Sequence, residues 1–276
     1  MAANRAFERV NEWNGLRGFA NLLRKENRAW WGTRRWWVNA LLWTGMLGGL
    51  TGLMLFVMPS LAEASGDPEV AAMGGLVPFG MEMGRSVFFQ LSSLALAIGA
   101  IVLFQDAFLD EKHSGVAEWI LSKPVARRSY VLAKLVAALL ALPALLIALP
   151  SLAAYLLLSL RGAVPFPVLP FLGGVGIVSI HTLFYLTLTL MLGTLFNSRG
   201  PILGITLAFL LGGSVLGGLL KPLLFVTPWI LSKVSPLVAG AQPVPAGMLW
   251  APLAATAFWS LIFILVALAK FERTEF

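Results

Sequence analysis

The 276-residue chain contains no cysteine. Disulfide frameworks, thiolate metal sites and cysteine nucleophiles are therefore excluded. Charge is also scarce, at 12% of residues against 58% hydrophobic, about half the charged fraction of an ordinary soluble domain. The only histidines are His113 and His181, and neither stands in an H-E-x-x-H pattern. The chain has no G-x-x-x-x-G-K-[ST] loop and no G-x-S-x-G turn, so it has no P-loop for a nucleotide phosphate and no nucleophile elbow. No catalytic residue set, no metal site and no cofactor site of its own is expected.

Long apolar runs are what the chain has instead, and its mean hydropathy is +0.84. A helix needs roughly 20 apolar residues to cross a bilayer. Six stretches qualify, at about 38–58, 86–105, 131–160, 168–196, 201–219 and 248–269. Helices are expected because hydrocarbon offers no partner for open backbone groups. The fold class read from this pattern is an all-α membrane protein with six transmembrane helices. The third stretch carries Pro143 and Pro150 and is long enough to tilt, kink or protrude. As bounded, the six stretches contain no Asp, Glu or Arg; Lys134 and His181 are their only groups ionisable near neutral pH. Ion-coupled transporters keep intramembrane acids or bases, so any transport is expected to draw its energy from elsewhere.

Lys and Arg set the orientation. Arg5, Arg9, Arg17, Arg24, Lys25, Arg28, Arg34 and Arg35 precede the first stretch, and Lys112, Lys123, Arg127 and Arg128 separate the second from the third. Arg199, Lys270 and Arg273 fall on the same side; the other side holds Arg85, Arg161, Lys221 and Lys233. The positive-inside rule puts both termini in the cytoplasm. The net charge of +7 follows from that topology and needs no nucleic acid. Residues 1–37 read as an N-terminal segment with an amphipathic interfacial helix. Leu16, Phe19, Leu23 and Trp30 fall near one face, with Arg17, Asn21, Arg24, Lys25 and Arg28 largely on the other, the pattern of a helix lying among lipid headgroups. Residues 38–276 form the six-span domain. Between the last two spans, Leu220–Gly247 is apolar and rich in proline, which suggests short re-entrant or interfacial helices on the outer face.

Small and polar residues mark two further patterns. Gly45, Gly48, Gly49 and Gly52 in the first span, and Gly213 and Gly217 in the fifth, have the spacing of close helix contacts. They serve packing within one subunit or a homodimer seam. Gln90 and Ser93 with Ser86, and His181, Tyr185 and Thr189, form helical-face stripes. These line a substrate path or make interhelical hydrogen bonds.

The segment Asp110–Tyr130 is the unusual one. It is charged and cytoplasmic, yet Val116, Trp119 and Ile120 stand at i, i+3 and i+4 beside Glu118, so a short helix would project them together. Gly115 permits a bend before it, and Ser122 and Pro124 suit the start of the next helix. Such a helix lies on lipid or fits a groove on a partner. Glu111, Gly115, Glu118, Leu121, Ser122, Pro124, Arg127 and Lys134 follow a pattern that resembles the segment between spans two and three of type-2 ABC transporter permeases, including multidrug, bacteriocin-immunity, sodium-efflux and NosY-like members. "NLLRKENRAWWGTRRWW" is similar to that family's entry segment. Ala126 and Ala133 depart from its usual Ser and Gly. The resemblance implies an exporter permease in a prokaryotic cell (inner) membrane, a homodimer pairing through spans one and five. Two copies of a separate ATPase subunit, which binds ATP and Mg, would bind below. Glu111, Gly115, Val116, Glu118, Trp119, Ile120, Leu121, Ser122, Pro124 and Arg127 would form the coupling helix that meets the ATPase. A different reading is a scaffold that relays ATPase motion to an outer-face partner protein without transport.

Overall fold

A computed structural model describes residues 16–273, and every regular element among them is helical. Arg5, Arg9 and the chain ends read above as cytoplasmic lie partly outside these residues. The amphipathic helix α1 spans Phe19–Trp31. The first long helix runs Arg35–Ala64 as α2 (Arg35–Gly52), a π turn at Leu53–Val57, and α3 (Met58–Ala64). A short α4 (Pro68–Ala72) precedes α5 (Leu76–Phe104). Two small helices follow, α6 (Leu109–His113) and α7 (Val116–Leu121). The third crossing, Arg127–Gly162, consists of α8 (Arg127–Leu142), a π turn at Pro143–Ala148 and α9 (Leu149–Gly162). Pro143 and Pro150 have no N–H to give, and the wide turn lies where they interrupt the ladder. Next come α10 (Val168–Leu195) and α11 (Arg199–Leu219). The segment between α11 and the last helix holds α12 (Leu223–Val226), a 3-10 turn at Pro228–Ile230 and α13 (Leu231–Ala239). The last helix is α14 (Trp250–Glu272).

Five of these helical runs are long and apolar enough to cross a membrane; the apolar stretch Arg199–Gly213 in α11 is shorter. The bundle carries large apolar side chains outward, among them Leu41, Leu42, Leu152, Leu211 and Leu261, as a lipid-solvated surface requires. The interior is also apolar. Phe89, Leu96, Leu146, Leu158 and Tyr185 are fully enclosed, with α10 at the centre against α5, α13 and α14.

The second crossing differs from its expected extent. It begins at Leu76, ten residues before Ser86. The charges of Glu82 and Arg85 suggested a loop. At i and i+3 on one helix they satisfy each other, Arg85 Nη2 lying 2.5 Å from Glu82 Oε2, so the helix tolerates both. The expectation that the spans hold no Asp, Glu or Arg is therefore corrected: this pair sits within α5. The α5 helix also has the closest approach to the first crossing. A Cβ on Gly80 would fall 2.7 Å from the Leu55 carbonyl oxygen, and Gly84 faces the Leu55 side chain. This small-x-x-x-small pair was not among the glycines singled out from sequence.

Candidate functional site

One end of the bundle is built around residues 106–121. Gly115 adopts φ 71°, a left-handed conformation that costs other residues about 1–2 kcal/mol. That bend separates α6 from α7 and turns the two helices in different directions. On α7, Ala117 and Ile120 are buried in the core cluster that also holds Leu22 of α1. Val116, Glu118 and Trp119 are exposed, Trp119 at 62%. The expected apolar trio is thus divided, because i and i+3 residues 117 and 120 claim the inner face; Ile120 anchors the helix and only Val116 and Trp119 are presented. Lys123 Nζ lies 3.3 Å from the Trp119 ring centre, and a cation on that face restrains the indole. Ser122 closes α7 by donating to Trp119 O at 2.8 Å. It does not cap the next helix, which starts after Ala126; Ser122 and exposed Pro124 belong to the connection. Leu121 is half-buried beside the same core.

The α6 helix ties this presented face to the membrane helices. Its Glu111 carboxylate meets Lys25 of α1 and, at 3.1 Å, Lys134 of α8, and it accepts the Tyr130 hydroxyl. Lys134 also reaches Glu26 at 3.1 Å, and its side chain is 5% exposed. Two cations and two carboxylates thus balance in a largely buried group, which is the condition for such charges to be tolerated. At Lys25, burial works against the ammonium, but its hydrogen bond to Glu111 and the charge of Glu26 outweigh it and raise its pKa. Tyr130 stacks on Phe271 at 5.0 Å, which joins α14 to the same place.

On its other side α6 holds the turn between α10 and α11. Lys112 Nζ donates to the carbonyls of Gly193 and Thr194 at 3.0 and 3.3 Å, where the end of a helix leaves acceptors open. His113 Nε2 lies 2.9 Å from Asn197 O. Arg199, at the start of α11, bonds Asp106 and Asp110 at 2.5 and 3.2 Å. Arg127 donates to the Glu272 carbonyl at 3.1 Å, and Arg128 pairs with the Glu272 carboxylate. The chain before α1 is pinned too: Ala126 N–H donates to Arg17 O at 3.0 Å. Ends of α1, α8, α10, α11 and α14 therefore all meet around one short, two-helix segment.

The other residues singled out from sequence lie apart from it. Gly45 and Gly49 are exposed on α2, and a Cβ added to either would have no atom within 4 Å; Gly48, in contrast, faces Ala153 and Gly52 faces Leu157. Gly213 and Gly217 lie against Trp229 and Leu224 of their own chain, so the close approach they allow is made inside the subunit. His181, Tyr185 and Thr189 are buried. Their face is packed, with the His181 and Tyr185 rings 5.1 Å apart and the Thr189 hydroxyl donating to Tyr185 O at 2.6 Å. Ser93 is buried and bonds Phe89 O at 3.0 Å, while Gln90 is exposed. The five polar residues are not gathered into one path.

A second cluster, nearer the start of α5, went unnoticed in the sequence. The Arg85 guanidinium occupies the place a side chain at Gly240 would take, at the C-terminal end of α13. That end of a helix favours a cation. Glu82 also accepts from Ser86 at 3.1 Å and Gln242 at 3.4 Å. The only signal for it was the i, i+3 spacing of Glu82 and Arg85. Among the described residues no group of three or more His, Asp or Glu is placed to hold a metal.

The architecture is a helical bundle with five runs long and apolar enough to cross a membrane. The chain belongs to the ABC-2 family of transporter proteins, whose family model matches residues 20–276; it is a multi-pass permease of that class. A comparison with curated proteins finds no significant match.

Proposed function

We propose that this chain is the permease subunit of an ATP-driven exporter, that it works as a homodimer, and that a separate ATPase subunit docks on α7. The observation that carries this reading is the contrast within α6–α7: Trp119 is exposed and unsupported by lipid-facing helices, while the residues on either side are fastened to five helix ends. A large aromatic at a partner contact is the kind of residue that dominates binding energy. Movement of a docked ATPase would act through Gly115 on α6, and from there through Glu111 on α1 and α8 and through Lys112, Asp106 and Asp110 on the α10–α11 turn. ATP-driven closure then biases a two-state bundle by differential contact with this segment.

In this reading α11 crosses the membrane as a sixth span, both termini are cytoplasmic, and residues 1–37 and 38–276 are the interfacial segment and the permease domain. The segment from Leu220 to Gly247 dips into the membrane from outside. Two indoles support the dip: Trp229 donates to Phe209 O at 2.9 Å and Trp259 to Val226 O at 3.1 Å, far from the ends of α11 and α14. The transported molecule is lipid-like, hydrophobic or a peptide, since few charges face any candidate path.

Two outcomes check the assignment. Trp119→Ala should weaken the ATPase complex by about 2 kcal/mol or more, roughly thirtyfold, and Glu118→Arg should also uncouple it. The readout is ATPase co-purification and coupled turnover in proteoliposomes; normal values in both variants would remove the docking role. Stimulation by candidate substrates supports transport, and stimulation by an outer protein alone supports the scaffold reading. For the dimer, the open positions Gly45 and Gly49 carry the test. Gly49→Leu leaves the monomer's own contacts intact and should raise the dimer dissociation constant in detergent about tenfold or more, for a loss of roughly 1.4 kcal/mol. An unchanged distribution by analytical ultracentrifugation would exclude a seam at this face.

A further inference from the structure

A cavity of about 320 Å³ lies among α10, α11, α12 and α14. Phe184 and Leu188 form its back wall, Ile205 and Phe209 one side, Trp259 and Phe263 the other, and residues 223–227 close one end. It exists because α11 and α14 each pack on α10 and have little contact with each other. The wall is aromatic and mutually held: Phe184 stacks on Phe209 at 5.4 Å and meets Phe263 edge-on at 5.2 Å, and Trp259 stacks on Phe263 at 6.2 Å. Ile205, Val226 and Trp259 remain substantially exposed, so the cavity opens sideways between helices rather than being sealed.

Its chemistry selects against polar guests. The one hydroxyl on the wall, Thr227, already donates to Leu223 O at 2.6 Å, and the Trp259 indole N–H is spent on Val226 O. A polar ligand would leave water for a wall that offers no free side-chain donor, a cost that favours apolar guests. A hydrocarbon chain incurs no such cost. The volume is far above the roughly 10–15 Å³ that one water-sized probe needs, so a stretch of hydrocarbon chain fits. Next to the closed end lies a single cation. Lys221 is the only Lys or Arg between Arg199 and Lys233. It is exposed, and its carbonyl accepts from Leu224 N–H at 3.1 Å in the turn that begins α12.

We propose that this cavity binds one acyl chain of an anionic membrane phospholipid, with the phosphate held at the rim by Lys221. Placement of that headgroup in the outer leaflet rests on the orientation proposed above; the acyl-chain site does not, and neither depends on ATPase docking. The experiment uses the full chain in bilayer nanodiscs containing phosphatidylglycerol with a diazirine midway along one chain. After illumination, peptide mapping should find adducts on the cavity side chains about fivefold or more above those on Leu152 and Leu156, both exposed on α9. Leu188→Trp fills the back of the cavity and Ile205→Trp blocks its mouth; each should reduce the enrichment about fivefold, while Phe258→Trp on the outer surface should not. Lys221→Glu should lower it at least fivefold, since the loss of one basic residue near an anionic surface alone is worth about that much. Adducts spread evenly over all exposed apolar positions, as an annular lipid shell or a second copy of the chain in the cleft would give, overturn the site. Enrichment that survives both tryptophan variants does the same. Unchanged labelling in Lys221→Glu overturns the headgroup assignment.

Discussion

Glu111→Ala is expected to destabilise the folded protein by about 3–5 kcal/mol. The loss comes less from the removed attraction than from what stays behind. Lys134 is 5% exposed at its side chain and keeps only Glu26, which it already shares with Lys25. Tyr130 loses the acceptor of its hydroxyl at the same time. Glu111→Gln keeps the shape and an acceptor but not the charge, so it should fall between Ala and the native residue. Pairing Glu111→Gln with Lys134→Met removes the buried cation together with its partner and should recover a large share of the loss. Denaturant unfolding in detergent reads all three. A change below about 1 kcal/mol in Glu111→Ala would mean that the group is screened like an exposed ion pair.

Glu82→Ala should have an effect of the same order at the second cluster. Arg85 is buried, its side chain 7% exposed, while that of Glu82 is 36% exposed. Removing the carboxylate strands a guanidinium in the bundle; removing the guanidinium strands a group that water can reach. Glu82→Ala is therefore expected to cost about 3–5 kcal/mol, clearly more than Arg85→Met. The double variant should lie nearer to Arg85→Met than to the sum of the two. Additivity within about 0.5 kcal/mol would show that the two charges do not depend on each other.

These two groups also show where the chain can be read directly. The crossings announce themselves, because about 20 apolar residues in a row have few other uses, and the basic residues assign the loops to sides. The start of α5 does not announce itself. Glu82 and Arg85 look like loop residues until their i, i+3 pairing on a helix is seen, and the turns between Leu76 and Arg85 follow from that. Gly115 was legible as a bend because a glycine before an apolar cluster is the cheapest route to positive φ. Which face of α7 turns inward was not, since its 6 residues hold too few periods to separate Ala117 and Ile120 from Val116 and Trp119. The partners of Glu111 were least accessible of all. Lys25 lies 86 residues away in sequence, and only the packing of α1 against α8 brings it in. The glycines of α11 teach the reverse lesson: their spacing signals a close contact but not whose, and here Trp229 and Leu224 of the same chain supply it.

The exposed indole on α7 is where the proposed mechanism meets its partner, and a photoreactive benzoylphenylalanine at position 119 interrogates that contact directly. Illuminated in native membranes with the ATPase present, it should yield one adduct of permease plus ATPase, while the same group at Leu152, exposed on α9, should yield none. An ATPase adduct missing at 119, in membranes where the ATPase still co-purifies with the permease, would contradict docking through this helix.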